Sequence, residues 1–189
     1  SHIQGTAPRR FDAVNAVCDA IVALALALPA EHPNLICLHA AAVAMNGRLV
    51  VFPNVQRAGK STLSAALAQA GHALFSDDVV PLSFTRDGHA MGYAMGIAPR
   101  LRLPLPEALG TGFRDWAEAV GGPLNRQYMY LALPAQPPQG EVLPLGAFVI
   151  LHRQDSPFDA RLEPVGPDVA MDALLFQNFT RDRHSGDIL

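Results

Sequence analysis

Leu49-Val-Val-Phe-Pro-Asn-Val-Gln-Arg-Ala-Gly-Lys-Ser-Thr-Leu63 is the stretch on which the reading of this chain turns. An apolar run ending at Phe52 reads as a strand, a loop follows, and Gly59-Lys60-Ser61-Thr62 opens a helical pattern. Strand, loop and helix in that order form the context of a Walker A phosphate loop. In such a loop the backbone N–H groups and the helix N-terminus cradle phosphate oxygens. Lys60 would reach the β- and γ-phosphates of ATP and the Ser61 hydroxyl would hold Mg²⁺, with Ala58, Gly59 and Thr62 completing the binding turn. Of the 14 lysine and arginine residues, Lys60 is the single lysine. It stands where a compact ammonium, rather than a planar fork, is usual.

Two positions depart from the motif. Asn54 stands where the pattern has its first glycine. Asparagine tolerates left-handed backbone better than most residues, so the turn survives. Arg57 stands where a second glycine is common; it costs backbone freedom or reaches a phosphate. Both count among the nucleotide-contacting residues of this reading.

The chain has 189 residues, half of them apolar, which suits one domain over 1–189 with a sizeable core. A net charge of −3 implies neither a nucleic-acid partner nor an acidic-membrane surface. Cys18 and Cys37 lie in apolar surroundings and read as buried free thiols of a reducing, cytoplasmic compartment. Ala20 to Leu28 is apolar but short and follows Asp19, so it reads as neither a membrane span nor a signal peptide.

Working outward, apolar residues from Phe11 to Leu28 recur at helical spacing and predict a helix stopped by Pro29. Leu35 to Met45 reads as one strand and Arg48 to Phe52 as the next. Asn46-Gly47 between them is a strong hairpin signal. A two-residue turn there pairs Met45 with Arg48 and, if the pairing continues, sets His39 opposite Asn54. A lone histidine on an apolar strand is usually a core residue; this register gives the functional reading equal weight. The helix 60–70 ends at Gly71. A short strand from His72 then closes on Asp77-Asp78, about fifteen residues past the lysine, where a metal ligand and a proton acceptor would stand. Two adjacent acids also raise one another's pKa.

Further on, strands are predicted over 79–84 and 89–95, joined by a turn at Arg86-Asp-Gly88. A proline-rich segment over 97–106 puts Arg100 and Arg102 on one parity. They would meet a phosphate or an acidic substrate group, or stand as solvated edge arginines. A helix over 107–120 carries Trp116, the only tryptophan. Strands over 127–133, 145–151 and 160–164, an exposed loop over 135–141 and a helix over 169–179 complete the expectation, with 181–189 read as flexible or cut.

Leu38-His39-Ala, then Gly59-Lys-Ser-Thr, then Ala70-Gly-His-Ala-Leu-Phe-Ser-Asp-Asp-Val-Val80 together resemble the catalytic domain of HPr kinase/phosphorylase. The resemblance covers residues 35–80 and extends faintly through Gly96-Ile97 and 148–153. It implies a P-loop nucleotide-binding α/β domain with a mixed, partly antiparallel sheet, related to phosphoenolpyruvate carboxykinase. It implies that Lys60 binds phosphate, that Ser61 and Asp77 support Mg²⁺, and that Asp78 takes the acceptor's proton with His39 assisting. The Glu-x-Arg-Gly signature of that family is absent; Met91-Gly-Tyr-Ala-Met-Gly-Ile97 stands in its place. The chain is similar to stand-alone HPr-kinase-related proteins. The activity implied is transfer of the γ-phosphoryl group of ATP to a serine-type hydroxyl of a small protein or peptide. An ATP-binding regulatory module without turnover and a small-molecule kinase are the alternatives, and a homo-oligomer is compatible with each.

Overall fold

The computed structural model describes residues 12–54, 58–152 and 160–178. The elements are α1 (Ala13–Glu31), β1 (Leu35–Leu38), β2 (Ala41–Met45), β3 (Arg48–Phe52), α2 (Lys60–Gln69), β4 (Ala73–Ser76), β5 (Val80–Phe84), β6 (Ala90–Tyr93), β7 (Arg100–Arg102), α3 (Thr111–Ala119), β8 (Gly121–Leu124), β9 (Tyr128–Leu131), β10 (Val142–Phe148) and α4 (Pro167–Gln177). Seven strands form a mixed sheet in the order β1-β5-β6-β10-β3-β2-β4. Among the described residues β10 and β3 are its one parallel pair. A second sheet, β7-β9-β8, is antiparallel. The molecule is thus mixed α/β with a mostly antiparallel sheet.

The Asn46-Gly47 turn fixes the β2–β3 register. Both residues have positive φ, 51° and 73°, which the tight turn requires. Met45 pairs with Arg48, and the ladder runs to Ala41 and Phe52. There it stops, so His39 does not lie opposite Asn54. The predicted single strand 35–45 is broken at His39-Ala40, and its first part pairs with β5 instead. Leu38 pairs with Val80 and Ala42 with Ser76. Each step is four residues, so one register spans the break. A long ribbon of 35–45 against 73–84 therefore crosses from one half of the sheet to the other, and both of its strands bend at the same level.

Alternation across that ribbon divides the core. Ala42, Leu49 and Val51 face Phe75, Val80 and Leu82, whereas Ala41, Val43 and Phe52 face Leu63 and Leu67 of α2. Gly92 has no side chain because the Leu49 side chain of the facing half-sheet occupies the place of its Cβ. The α1 helix lays Val14, Ile21 and Ala25 over Cys37, Val79 and Tyr130.

Several boundaries differ from the expectation. Helix α1 runs through Pro29, because only the last turn must do without its N–H, and the His32 N–H closes on the Leu28 carbonyl. By length and composition alone α1 is apolar enough to cross a membrane, with a most apolar window of mean hydropathy 1.9, so the apolar stretch is longer than Ala20–Leu28. Helix α3 starts at Thr111 rather than at 107, after Pro106 and Gly110. Strand β10 starts at Val142 and ends at Phe148, and Val142, Gly146 and Ala147 are exposed, so it is not the buried strand expected over 145–151. Residues 160–164 are exposed and form no strand. Helix α4 starts at Pro167, and β8, with its Gly121-Gly-Pro sequence, was not expected. Cys37 is buried but Cys18 is only half-buried; both are free thiols. Phe11, Arg57, Arg153 and 181–189 lie outside the described residues.

Candidate active site

At the bend of the ribbon the chain places His39, between β1 and β2, beside Asp77 and Asp78, between β4 and β5. The bend is fixed locally. The Val79 N–H donates to the Asp77 carbonyl at 2.9 Å, and the Ser76 hydroxyl donates to the Val79 carbonyl at 2.5 Å. Asp78 takes a left-handed conformation, φ 67°. Aspartate tolerates that better than most residues, and the turn swings the two neighbouring carboxylates into different surroundings.

Beside the bend, β3 leads through Pro53 and Asn54 to Gly59, the N-cap of α2, with φ 99°. No atom lies within 4 Å of the place a Cβ would take there, so Gly59 is required by its backbone conformation and not by crowding. The first N–H groups of α2 have no intrahelical acceptor, as in any helix. They open on a cleft of about 380 Å³ lined by Gly59, Lys60, Ser61 and Thr62 on one side, His39 and Asp78 at the bend, and Arg100, Arg102 and Tyr128 from the second sheet.

Lys60 is 6% exposed, and its ammonium donates to the Asn54 carbonyl at 2.6 Å. Burial lowers its pKa, opposed by the charges of Asp77 and Asp78. Asn54 is buried and is not among the residues that line the cleft. Its side-chain amide donates to the Leu151 carbonyl at 3.0 Å and accepts from the Leu151 N–H at 2.8 Å. Asparagine at this position thus acts as a peptide-like bracket that ties the loop to the segment after β10, a contact glycine could not make.

Asp77 is 2% exposed. One carboxylate oxygen accepts from the Ser61 hydroxyl at 3.0 Å and the other from the Arg100 backbone N–H at 3.2 Å. Burial and the neighbouring Asp78 charge push its pKa up to about 6, although both hydrogen bonds oppose the rise. Asp78 has the reverse balance. Burial pushes it up, but His39 and the charges of Arg100 and Lys60 outweigh that and hold it below the usual carboxylate range. Arg100 reaches one Asp78 oxygen at 2.6 Å, and the His39 ring lies 3.7 Å from the other. His39 lowers the Asp78 pKa first as a hydrogen-bonding partner and then as a nearby charge, although 3.7 Å is long for a hydrogen bond.

Arg100 and Arg102 enter the cleft because Leu101 between them goes the other way, into a core with Ala65, Phe113 and Met129. The Arg100 guanidinium lies 4.6 Å from the Tyr128 ring centre and donates to Cys18 Sγ, which in turn lies 3.3 Å from the Tyr130 hydroxyl. Tyr128 and Tyr130 were not singled out in the sequence, and Cys18 reads there only as a buried thiol. The one signal that could have found the tyrosines is the alternation Tyr128-Met-Tyr130, which is readable only once β7 is known to pair with it.

The donor set at the bend suits Mg²⁺, a hard cation that takes oxygen ligands and keeps several waters. A hydroxyl and a carboxylate, Ser61 and Asp77, already stand 3.0 Å apart, and the carboxylate is buried beside a second one, Asp78, an arrangement a cation would relieve. Among the described residues no group of three or more His, Cys, Asp or Glu side chains is gathered as an all-protein metal cage.

No family model matches the chain, and no curated protein does. Among solved structures it is similar to the HPr(Ser) kinase/phosphatase from Coxiella burnetii, with 20% identity over 65% of this chain and 70% of that chain and a TM-score of 0.39. A likeness of that degree carries no argument about activity, substrate or the roles of residues.

Proposed function

We propose that this cleft binds ATP with Mg²⁺ and transfers the γ-phosphoryl group to a serine-type hydroxyl on a small protein or peptide. The observation that carries the reading is the placement of an ionised, cleft-facing carboxylate, Asp78, beside a glycine-turned helix start that bears Lys60. Phosphoryl transfer asks the protein for positioning and charge, with little covalent chemistry. The N–H groups at the start of α2 and Lys60 would hold the phosphates, and Ser61 with Asp77 would hold Mg²⁺. When bound, the cation supplies positive charge against the phosphate oxygens.

The pKa values alone would choose Asp77 as the base, since its value of about 6 is closer to neutral. Geometry comes first, and Asp77 is buried against Ser61 and Arg100. Asp78 faces the cleft. Its depressed pKa makes it a weak base toward a free hydroxyl, so it works chiefly by accepting the hydroxyl's hydrogen bond and aiming the oxygen. It receives the proton as the hydroxyl becomes acidic on bonding to phosphorus. His39 and Arg100 keep it ionised meanwhile.

One observation favours the second reading, an ATP-binding module without turnover: Arg100 already occupies an Asp78 oxygen at 2.6 Å. The two readings separate in one experiment. Protein, ATP and Mg²⁺ are incubated with serine-bearing peptides, and ADP and phosphoserine are quantified. The kinase reading expects acceptor-dependent ADP release, cut by about 10²–10⁴ in Asp78→Asn with nucleotide affinity kept. Transfer at an unchanged rate in Asp78→Asn refutes the role of Asp78. Tight ATP binding with no transfer to any acceptor selects the regulatory module.

A further inference from the structure

We infer that the Arg102–Tyr128 corner of the cleft is a carboxylate subsite, so that the acceptor carries a negative charge next to its hydroxyl. This deepens the kinase reading and rests on it for the word acceptor; the subsite itself rests on the charges in the cleft. Each of the other cations there is engaged by the protein. Lys60 donates to the Asn54 carbonyl, and Arg100 pairs with Asp78. His39 is drawn to the same carboxylate. Arg102 differs. Its guanidinium donates to the Tyr128 hydroxyl at 3.2 Å and lies 5.4 Å from that ring's centre, and among the described residues no acid pairs with it.

An exposed arginine stacked on a tyrosine is common on protein surfaces. Three features set this one apart. It lines the cleft. Its orientation is fixed from the side by a ring face and a hydroxyl, which leaves the remaining N–H groups of the fork for a ligand. It also shares its strand face with Arg100, so the two guanidinium groups flank one tyrosine and start from Cα atoms roughly 7 Å apart. Arg100 marks the position of Asp78. A hydroxyl held at Asp78 therefore places a group about one extended residue away beside Arg102. A planar, bidentate cation suits a carboxylate there, from an acidic side chain next to the serine or from a chain end. The proline walls, Pro104 and Pro106, offer no N–H and no charge to compete for it.

Arg102 belongs with the acceptor rather than with the phosphates because its neighbours, Tyr128 and Arg100, lead to Asp78 and not to the Lys60 turn. Three peptides are compared: an amidated Ala-Ala-Ser-Ala-Ala, the same with Asp after the serine, and Ala-Ala-Ser with a free terminal carboxylate. Their binding to the protein loaded with ADP and Mg²⁺ is measured by fluorescence anisotropy of labelled peptides, with no turnover needed. Wild type is expected to bind at least one charged peptide about tenfold or more tighter than the neutral one. Which charged peptide wins tells a side-chain from a terminal source. Arg102→Gln should erase the preference, Arg102→Lys should keep part of it, and ATP affinity should be the same in both. The inference is overturned if wild type binds all three alike, if none binds at millimolar concentration, or if Arg102→Gln weakens ATP instead of peptide. Failure of the kinase reading looks different: the charge preference in binding persists while no peptide is phosphorylated.

Discussion

The floor beneath the cleft, where Asn54, Lys60 and Asp77 lie, is buried and hydrogen-bonded to the protein, whereas the cleft's rim at Arg102, Pro104 and Pro106 is open. On the floor every named polar group has a protein partner at 2.6–3.2 Å. At the rim a cation is oriented with no acid among the described residues to neutralise it. The difference separates two tasks. A site that receives the same phosphates each time gains from being built in advance, since no reorganisation is needed at the moment of reaction. A surface that must tell one acceptor from another keeps its charge for the ligand. The floor bears the cost of a buried carboxylate, and the rim bears almost none.

That contrast yields three stability measurements, in falling order of effect. The first is Asp77→Asn. The folded carboxyl titrates at about 6 against an ordinary 3.8, so folding disfavours its ionised form. The sign follows: no penalty exists below pH ~4, it grows between pH ~4 and ~6, and above that it is complete, on the order of 2–3 kcal/mol. Asparagine can still offer its oxygen to the Arg100 N–H and its amide to Ser61. Urea unfolding at pH 8 should find Asp77→Asn more stable by that order, with the gain gone near pH 4. A loss at pH 8 would mean that the floor is not strained by its charge.

The second is Asn54→Ala, which removes both hydrogen bonds to Leu151 and should cost about 2 kcal/mol in the same assay. A change below about 0.5 kcal/mol would show that the bracket is decorative. The third is Arg102→Gln at the rim, expected to stay within about 0.5 kcal/mol of wild type. A large loss there would make Arg102 a structural residue and erase the contrast.

The floor was more legible in the sequence than the rim, for physical reasons. Asn46-Gly47 fixes a register by backbone chemistry alone, and Gly59-Lys60-Ser61 marks a helix start. Both signals are local. The break at His39-Ala40 carries none: no glycine or proline interrupts Leu35 to Met45, and the strand bends because its partner bends at Asp77-Asp78. His39 consequently meets Asp78 and not Asn54. At the rim, β7 is three residues long among prolines, and β8 contains two glycines and a proline. β7 alternates but is too short to stand out, β8 does not alternate, and neither has the β-branched content by which a strand is read. Without β7, Tyr128 has no reason to be placed beside two arginines.

The account stands on the loop at Gly59-Lys60-Ser61 receiving nucleotide phosphate. The most direct test is calorimetric titration of Mg²⁺–ATP into wild type and Lys60→Ala. Circular dichroism run alongside confirms that the variant is folded. Wild type should bind, and Lys60→Ala should bind at least about tenfold more weakly, because the one buried ammonium beside Asp77 and Asp78 is gone. Equal affinity in the two proteins, or no binding to wild type at millimolar ATP, would contradict it.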